Sequence, residues 1–246
     1  MKNEIYSVVV SRCVVNKKWH IAKEVVVNRL YYVNNGSAVI RNGSKEHVLM
    51  AGHIYLFSQC NDIKSISANN FDHTYFDFTS SIIYRPDVFT EIDAQDNSLM
   101  GYFSLVNMLI AEKEKYTSVL KGLLESVLEY INITYKPPIL KNNIITMAMN
   151  CIYEKSSTIT TSELAQKLNI NECHFIRLFK KHMGTTPMKY IYSYRLADGM
   201  QLLDMGKSVA ESAELCGYES ASAFCVAFKK QYGISPSDYK QKIESQ

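Results

Sequence analysis

Arg177, Lys180 and Lys181 stand three and four residues apart, interleaved with Phe175, Leu178 and Phe179. At that spacing the cations share one face of a helix and the apolar residues another. A guanidinium on such a face can bond guanine in bidentate fashion, and ammonium groups can neutralise phosphates. The chain writes this phrase twice. Phe179-Lys180-Lys181-His182-Met183-Gly184-Thr185-Thr186-Pro187 returns 49 residues later as Phe228-Lys229-Lys230-Gln231-Tyr232-Gly233-Ile234-Ser235-Pro236. A duplicated basic helix that ends at Gly and precedes a Thr-Pro or Ser-Pro start predicts two DNA-reading units on one chain.

The surrounding punctuation says how these helices are held. Thr160-Thr161-Ser162-Glu163 and Ser208-Val209-Ala210-Glu211 fit capping boxes. Asn171 and Ser220 can cap the two basic helices, and Thr186-Pro187 and Ser235-Pro236 place a cap before proline at the first helical position. Gly184 and Gly233 stand where left-handed C-terminal caps belong. The pattern predicts helices at 140–153, 162–168, 172–182, 187–204, 209–216, 221–232 and 236–242. Ala165 and Ala213 are small where two helices must cross closely, and one residue is added at the second turn, moving the repeat offset from 48 to 49.

These elements assign roles. Cys173, His174, Ile176 and Arg177 are expected on the base-facing side of the first reading helix, with Arg177 the best base reader. Ala221, Ser222, Ala223 and Val226 take the equivalent places on the second, where only Ser222 is an obvious hydrogen-bonding reader. Thr161, Lys180, Lys181, Lys229 and Lys230 are the expected phosphate contacts. Helix 187–204, roughly 27 Å long at 1.5 Å per residue, can hold the two reading helices about one DNA turn apart.

Bulk properties set the frame. The 246 residues are enough for two modest domains, and 47% hydrophobic with 21% charged residues is ordinary globular composition. Net charge is only +3, and from residue 150 onward 12 Lys or Arg face 10 Asp or Glu, so the placement of charge carries more than its sum. No apolar run approaches the roughly 18 residues of a membrane span, and the N-terminus carries no signal-type cleavage site. The six cysteines (13, 60, 151, 173, 216, 225) form no CxxC pair and no zinc spacing, as expected of reduced thiols in a cytoplasmic protein.

Residues 5–80 read as β. Val8-Val9-Val10, Val25-Val26-Val27, Leu30-Tyr31-Tyr32-Val33, Ala38-Val39-Ile40 and Ile54-Tyr55-Leu56-Phe57 are separated by turn signals at Asn34-Asn35-Gly36, Arg41-Asn42-Gly43, Ala51-Gly52 and Asn69-Asn70. Short strands without intervening helices predict a small antiparallel β-barrel or sandwich. From about 87 to 135 the period turns helical: Phe103, Val106, Leu109 and Ile110 share one face, and Val119, Leu123, Leu124, Val127 and Leu128 another. Lys136-Pro137-Pro138 breaks the chain. The expectation is an α+β protein of two domains, 1–136 and 139–246, the second all-α.

The quoted residues carry a resemblance. Ala213, Gly217-Tyr218, Phe224, Phe228-Lys229-Lys230, Gly233, Ser235-Pro236 and Tyr239, with Arg195-Leu196 in the joining helix, resemble the tandem helix-turn-helix domain of the AraC family of bacterial transcription regulators. The resemblance covers about 100 residues. Val226 departs from it where the family usually has Arg, and Ser212 where it usually has a buried aliphatic. More weakly, Leu49-Met50-Ala51-Gly52-His53-Ile54-Tyr55-Leu56-Phe57 resembles the strand–turn–strand of that family's cupin-like sensor domain, with Ala51 and His53 in place of Pro and Asp.

The resemblance implies a cytoplasmic regulator, an activator, that binds double-stranded DNA, works with RNA polymerase and uses its β-domain to sense a ligand or form a homodimer. In the enteric branch a basic residue near strand 30–33 can meet a fatty-acid carboxylate. That implies Arg29 and Tyr31 as candidates for a small apolar or anionic effector such as a fatty acid, against the commoner fate of Arg29 as a surface residue. An apolar pocket lined from strands 25–57 goes with this expectation. His47 and His53 lack partners at metal spacing, so neither a metal nor a cofactor is expected and no catalytic residue is assigned. Trp19-His20 reads as a strand-edge pair. The rival readings are a cupin-type enzyme, disfavoured by the missing metal triad, and an interaction module with a degenerate helix-turn-helix, suggested by Val226 and the low net charge.

Overall fold

The computed structural model describes residues 4–17, 26–59, 63–86, 89–93 and 97–244. Trp19, His20 and Cys60 lie outside them. Contacts divide the chain into two compact units, one drawn from 1–21 and 27–141, the other from 22–26 and 142–246.

The first unit is a six-stranded antiparallel sheet. Its strands are β1 (Ile5–Val15), β2 (Asn28–Asn42), β3 (Lys45–Met50), β4 (His53–Phe57), β5 (Ile63–Ser80) and β6 (Phe89–Asp93), in the order β1-β5-β2-β4-β6 with β3 also paired to β2. Gly43 (φ 60°) turns β2 into β3, and Gly52 (φ 80°) joins β3 to β4. Asn34-Asn35-Gly36 is not a turn, because β2 runs through it. Its pairing with β5 shifts register between Val33, Asn35 and Ser37. Asn69-Asn70 likewise lies inside β5. Gly36 (φ 73°) comes so close to the Asn70 carbonyl that a Cβ would lie 2.0 Å from its oxygen, and Asn70 itself takes φ 44°. Two residue types that tolerate the left-handed region thus meet across the ladder and make a bulge instead of two turns.

Alternation along the strands buries both faces of the sheet. Leu30, Tyr32, Ile54, Leu56, Phe76 and Phe78 share a core with the following helices. Tyr31, Val33, Tyr55, Phe57 and Phe71 form a second core on the opposite face. The helices are α1 (Asn97–Leu109) and α2 (Thr117–Thr134), linked through a 3-10 turn at Ile110–Glu112. Residues 89–93, expected within the helical region, are a strand because they ladder onto β4 from His53↔Asp93 to Phe57↔Phe89. On α2 it is Leu120, Leu124, Val127, Leu128 and Ile131 that are buried, whereas Val119 is exposed. Residues 137–141 stay with this unit: the Arg85 amide donates to the Pro138 carbonyl (3.0 Å) and the Leu140 amide to the Ile83 carbonyl (2.7 Å).

The second unit is all helix: α3 (Asn143–Lys155), α4 (Thr161–Lys167), α5 (Glu172–Met183), α6 (Pro187–Asp204), α7 (Val209–Leu215), α8 (Ala221–Tyr232) and α9 (Pro236–Glu244). α3 starts later than the expected residue 140, because 139–140 are bonded to the strand segment at 83–85. Among the described residues, no helix is long and apolar enough to cross a membrane.

Candidate nucleic-acid interface

The interface consists of two copies of one device. Both support helices begin with a full capping box: Thr160 with Glu163 on α4, and Ser208 with Glu211 on α7. Both then turn by the same bonds. The Asn169 amide donates to the Gln166 carbonyl and the Ile170 amide to Ala165 (both 3.0 Å); Gly217 donates to Glu214 and Tyr218 to Ala213 (both 2.9 Å). Asn169 (φ 52°) and Gly217 (φ 74°) hold the left-handed position at an offset of 48. The next helices are capped by Asn171, accepting from the His174 amide, and Ser220, accepting from the Ala223 amide. That is an offset of 49, so the added residue lies between turn and cap. Both end on a left-handed glycine, Gly184 bonded to the Lys180 carbonyl and Gly233 to that of Lys229.

The spacing of the apolar residues sets which side of each helix faces water. α5 buries Phe175, Phe179 and Met183 and exposes Cys173, His174, Arg177, Lys180 and Lys181. α8 buries Phe224, Ala227 and Phe228 and exposes Ser222, Ala223, Val226, Lys229 and Lys230. Three assigned positions sit differently. Ile176 and Ala221 are half-buried, and Ala221 packs on the core of the second repeat. Thr161, the first residue of α4, is half-buried too. Helical rotation turns them partly inward, so they stand at the edges of the exposed stripe. His182 is half-buried, with Nε2 3.2 Å from the Asn142 side-chain amide. Among the described residues, nothing engages the side chains of Arg177, Lys180, Lys181, Lys229 or Lys230.

α6 carries both units. Arg195 donates from Nε to the Ser156 carbonyl (2.5 Å). Ser156 donates its hydroxyl to Asp198 (2.9 Å), whose carboxyl is pushed up to about 6 by burial. Gly217 rests on the same loop, where a Cβ would meet the Ser157 carbonyl oxygen at 2.0 Å. At Gly199 the Phe224 ring would lie 2.6 Å from an added Cβ, so this glycine lets α8 close on α6. Among the described residues, none partners the hydroxyl of the fully buried Ser212, a cost of about 1–3 kcal/mol.

The candidate ligand residues of the first unit are arranged differently from expectation. Arg29 is neither a surface residue nor a free cation at a pocket mouth. Its guanidinium bonds Asp77 through Nε (2.5 Å) and a terminal nitrogen (2.6 Å) and lies 5.8 Å from the Tyr31 ring centroid. Burial opposes the charge, but Asp77 overcomes it and holds the guanidinium pKa above its ordinary value. Tyr31 is buried, with its ring 5.1 Å from Phe57 and 4.6 Å from His73. Burial pushes His73 down to about 4; its Nε2 lies 3.4 Å from Cys13 Sγ, a thiol that burial raises to about 11. On this face the side chains pack on one another. The apolar crevice lined by Leu30, Phe76, Tyr102, Phe103, Val106 and Leu124 lies on the helix-covered face and is too narrow for a water molecule. The His47 ring lies tilted against Phe89, with centroids 4.2 Å apart, and His53 lies 3.3 Å from Glu91. Among the described residues, no three His, Cys, Asp or Glu side chains gather as a metal site.

Residues 164–242 match the family described as a helix-turn-helix domain. The transcriptional regulatory protein HptR of Staphylococcus aureus is 37% identical over 81 residues, 33% of this chain and 32% of that protein. The probable transcriptional regulator LumQ of Photobacterium leiognathi is 37% identical over 83 residues, 33% of this chain and 34% of that protein. The chain thus spans about a third of the length of the curated relatives it matches. Among solved structures, ToxT of Vibrio cholerae strain SCE256 bound to an unsaturated fatty acid superposes with a TM-score of 0.67 at 15% identity, covering 98% of this chain and 97% of that one. ToxT of Vibrio cholerae O395 gives 0.67 at 12% identity, covering 100% and 99%.

The class is therefore set by the C-terminal unit, a tandem helix-turn-helix DNA-binding domain. The whole chain has the two-domain fold of ToxT.

Proposed function

We propose that the chain is a sequence-specific, DNA-binding transcription regulator whose α5 and α8 enter successive major grooves. The observation that carries this reading is the repetition of cap, turn and helix, each copy presenting unengaged cations on its exposed stripe. α6, 18 residues long, sets the two helices apart by a length comparable to a turn of DNA. Arg177 reads a guanine, and Lys180, Lys181, Lys229 and Lys230 hold phosphates. Action as an activator in the bacterial cytoplasm, alongside RNA polymerase, completes the proposal.

The first unit senses an effector or pairs two copies of the chain. The ToxT structure that holds an unsaturated fatty acid supports a small apolar or anionic effector. To use Arg29, such an anion would have to displace the carboxylate of Asp77.

The test is a binding titration against salt on a duplex selected from a randomised pool. Removing any one of the four lysines is expected to lower the slope of log affinity against log salt by about 0.9, whatever the sequence. Slopes unchanged in all four variants would show the basic helices to be solvated faces only. Arg177→Ala is expected to cost about 1–3 kcal/mol on the selected site and to relax preference at one base pair. Unchanged sequence preference would remove its role as a reader.

A further inference from the structure

The two reading helices expose the same stripe with opposite chemistry. Through the offset of 49, Cys173, His174 and Arg177 on α5 correspond to Ser222, Ala223 and Val226 on α8. All six are exposed, and Val226 keeps 71% of its surface in water. Residues 222, 223 and 226 lie on one stripe at helical spacing, which continues into Lys229 and Lys230. The lysines place the stripe against a polyanion, yet its reading half offers two aliphatic side chains and one hydroxyl.

Resting on the DNA-binding reading above, we propose that the two units read unlike half-sites: α5 a guanine through Arg177, α8 a run of A·T pairs whose thymine methyl groups meet Val226 and Ala223. In the major groove the thymine methyl is the one apolar feature a base pair presents. Burying an exposed valine against it removes apolar surface of both from water. A G·C pair in that place has no methyl to cover the valine and presents the cytosine amino group beside it, a donor that Val226 strips of water and cannot replace. Such an unmatched polar group costs enough to weaken binding roughly tenfold or more. Val226 is therefore a specificity-determining residue by exclusion as well as by contact.

The experiment uses the full chain and a duplex selected from a random pool, with the α5 half-site identified as the one whose preference relaxes in Arg177→Ala. In the other half-site thymines are replaced by deoxyuridine, which removes only the methyl. Wild-type affinity is expected to fall about fourfold for each contacted methyl lost, the worth of one buried carbon group. In Val226→Ala that penalty shrinks, and in Val226→Arg the selected half-site moves toward G·C. Circular dichroism confirms that α8 is kept, as expected for a side chain so exposed. An enriched second half-site that is G·C-rich or random, or indifference of the wild type to deoxyuridine, overturns the inference while leaving salt-dependent, Arg177-dependent binding intact. Absence of any selected sequence and of any salt-dependent binding overturns the DNA-binding reading and this inference with it.

Discussion

Asp77→Ala is expected to lower stability by about 3–5 kcal/mol, because it strands the Arg29 guanidinium in a site that excludes water. The side chains of Arg29 and Asp77 are only 17% and 10% exposed, so solvent can do little to replace the lost carboxylate. In a unit of this size the loss corresponds to about 6–20 °C in melting temperature, read by thermal denaturation of the full chain. The double variant Arg29→Met with Asp77→Leu is expected to recover most of it, since apolar residues of similar volume often replace a buried pair without loss. A melting temperature of Asp77→Ala equal to that of the wild type would mean that Arg29 reaches water, and it would restore Arg29 as a free anion anchor. The measurement thus separates a structural from a ligand-binding role for the same arginine.

Gly217→Ala is expected to cost about 2–5 kcal/mol and to weaken DNA binding through the second unit. Two effects add. A left-handed backbone with φ 74° costs an L-residue about 1–2 kcal/mol. The added Cβ would also lie 2.0 Å from the Ser157 carbonyl oxygen, and forcing such a contact open typically costs about 1–3 kcal/mol more. Gly184→Ala is the control: its φ is 73°, but among the described residues nothing beyond its own chain neighbours lies within 4 Å of the added Cβ. Only the conformational part is expected there. Equal losses in the two variants, by chemical denaturation, would show that the approach of Gly217 to the 156–159 loop does not matter. A larger loss at Gly217 identifies that loop, tied to α6 through Arg195 and Asp198, as the seat of the second reading unit.

What the sequence by itself determined about this protein is the local part of the DNA-binding unit. A cap closes a bond to an amide three residues on, and a left-handed glycine closes one to a carbonyl four residues back. Thr160, Asn171, Ser208, Ser220, Gly184 and Gly233 therefore announce their roles within one helical turn, and with the spacing of Phe175, Arg177 and Lys180 they give the helices and their exposed faces. Only the tertiary structure decided the rest. Asn34-Asn35-Gly36 and Asn69-Asn70 have the composition of turns, and become a bulge because each finds the other across the ladder. Residues 89–93 are a strand because β4 offers an open edge. Arg29 is paired with Asp77, 48 residues away in sequence, and His182 is half-buried beside Asn142, 40 residues away. Strand register, ion-pair choice and side-chain burial depend on which distant segment arrives alongside. Propensity and spacing within a dozen residues hold no record of that neighbour.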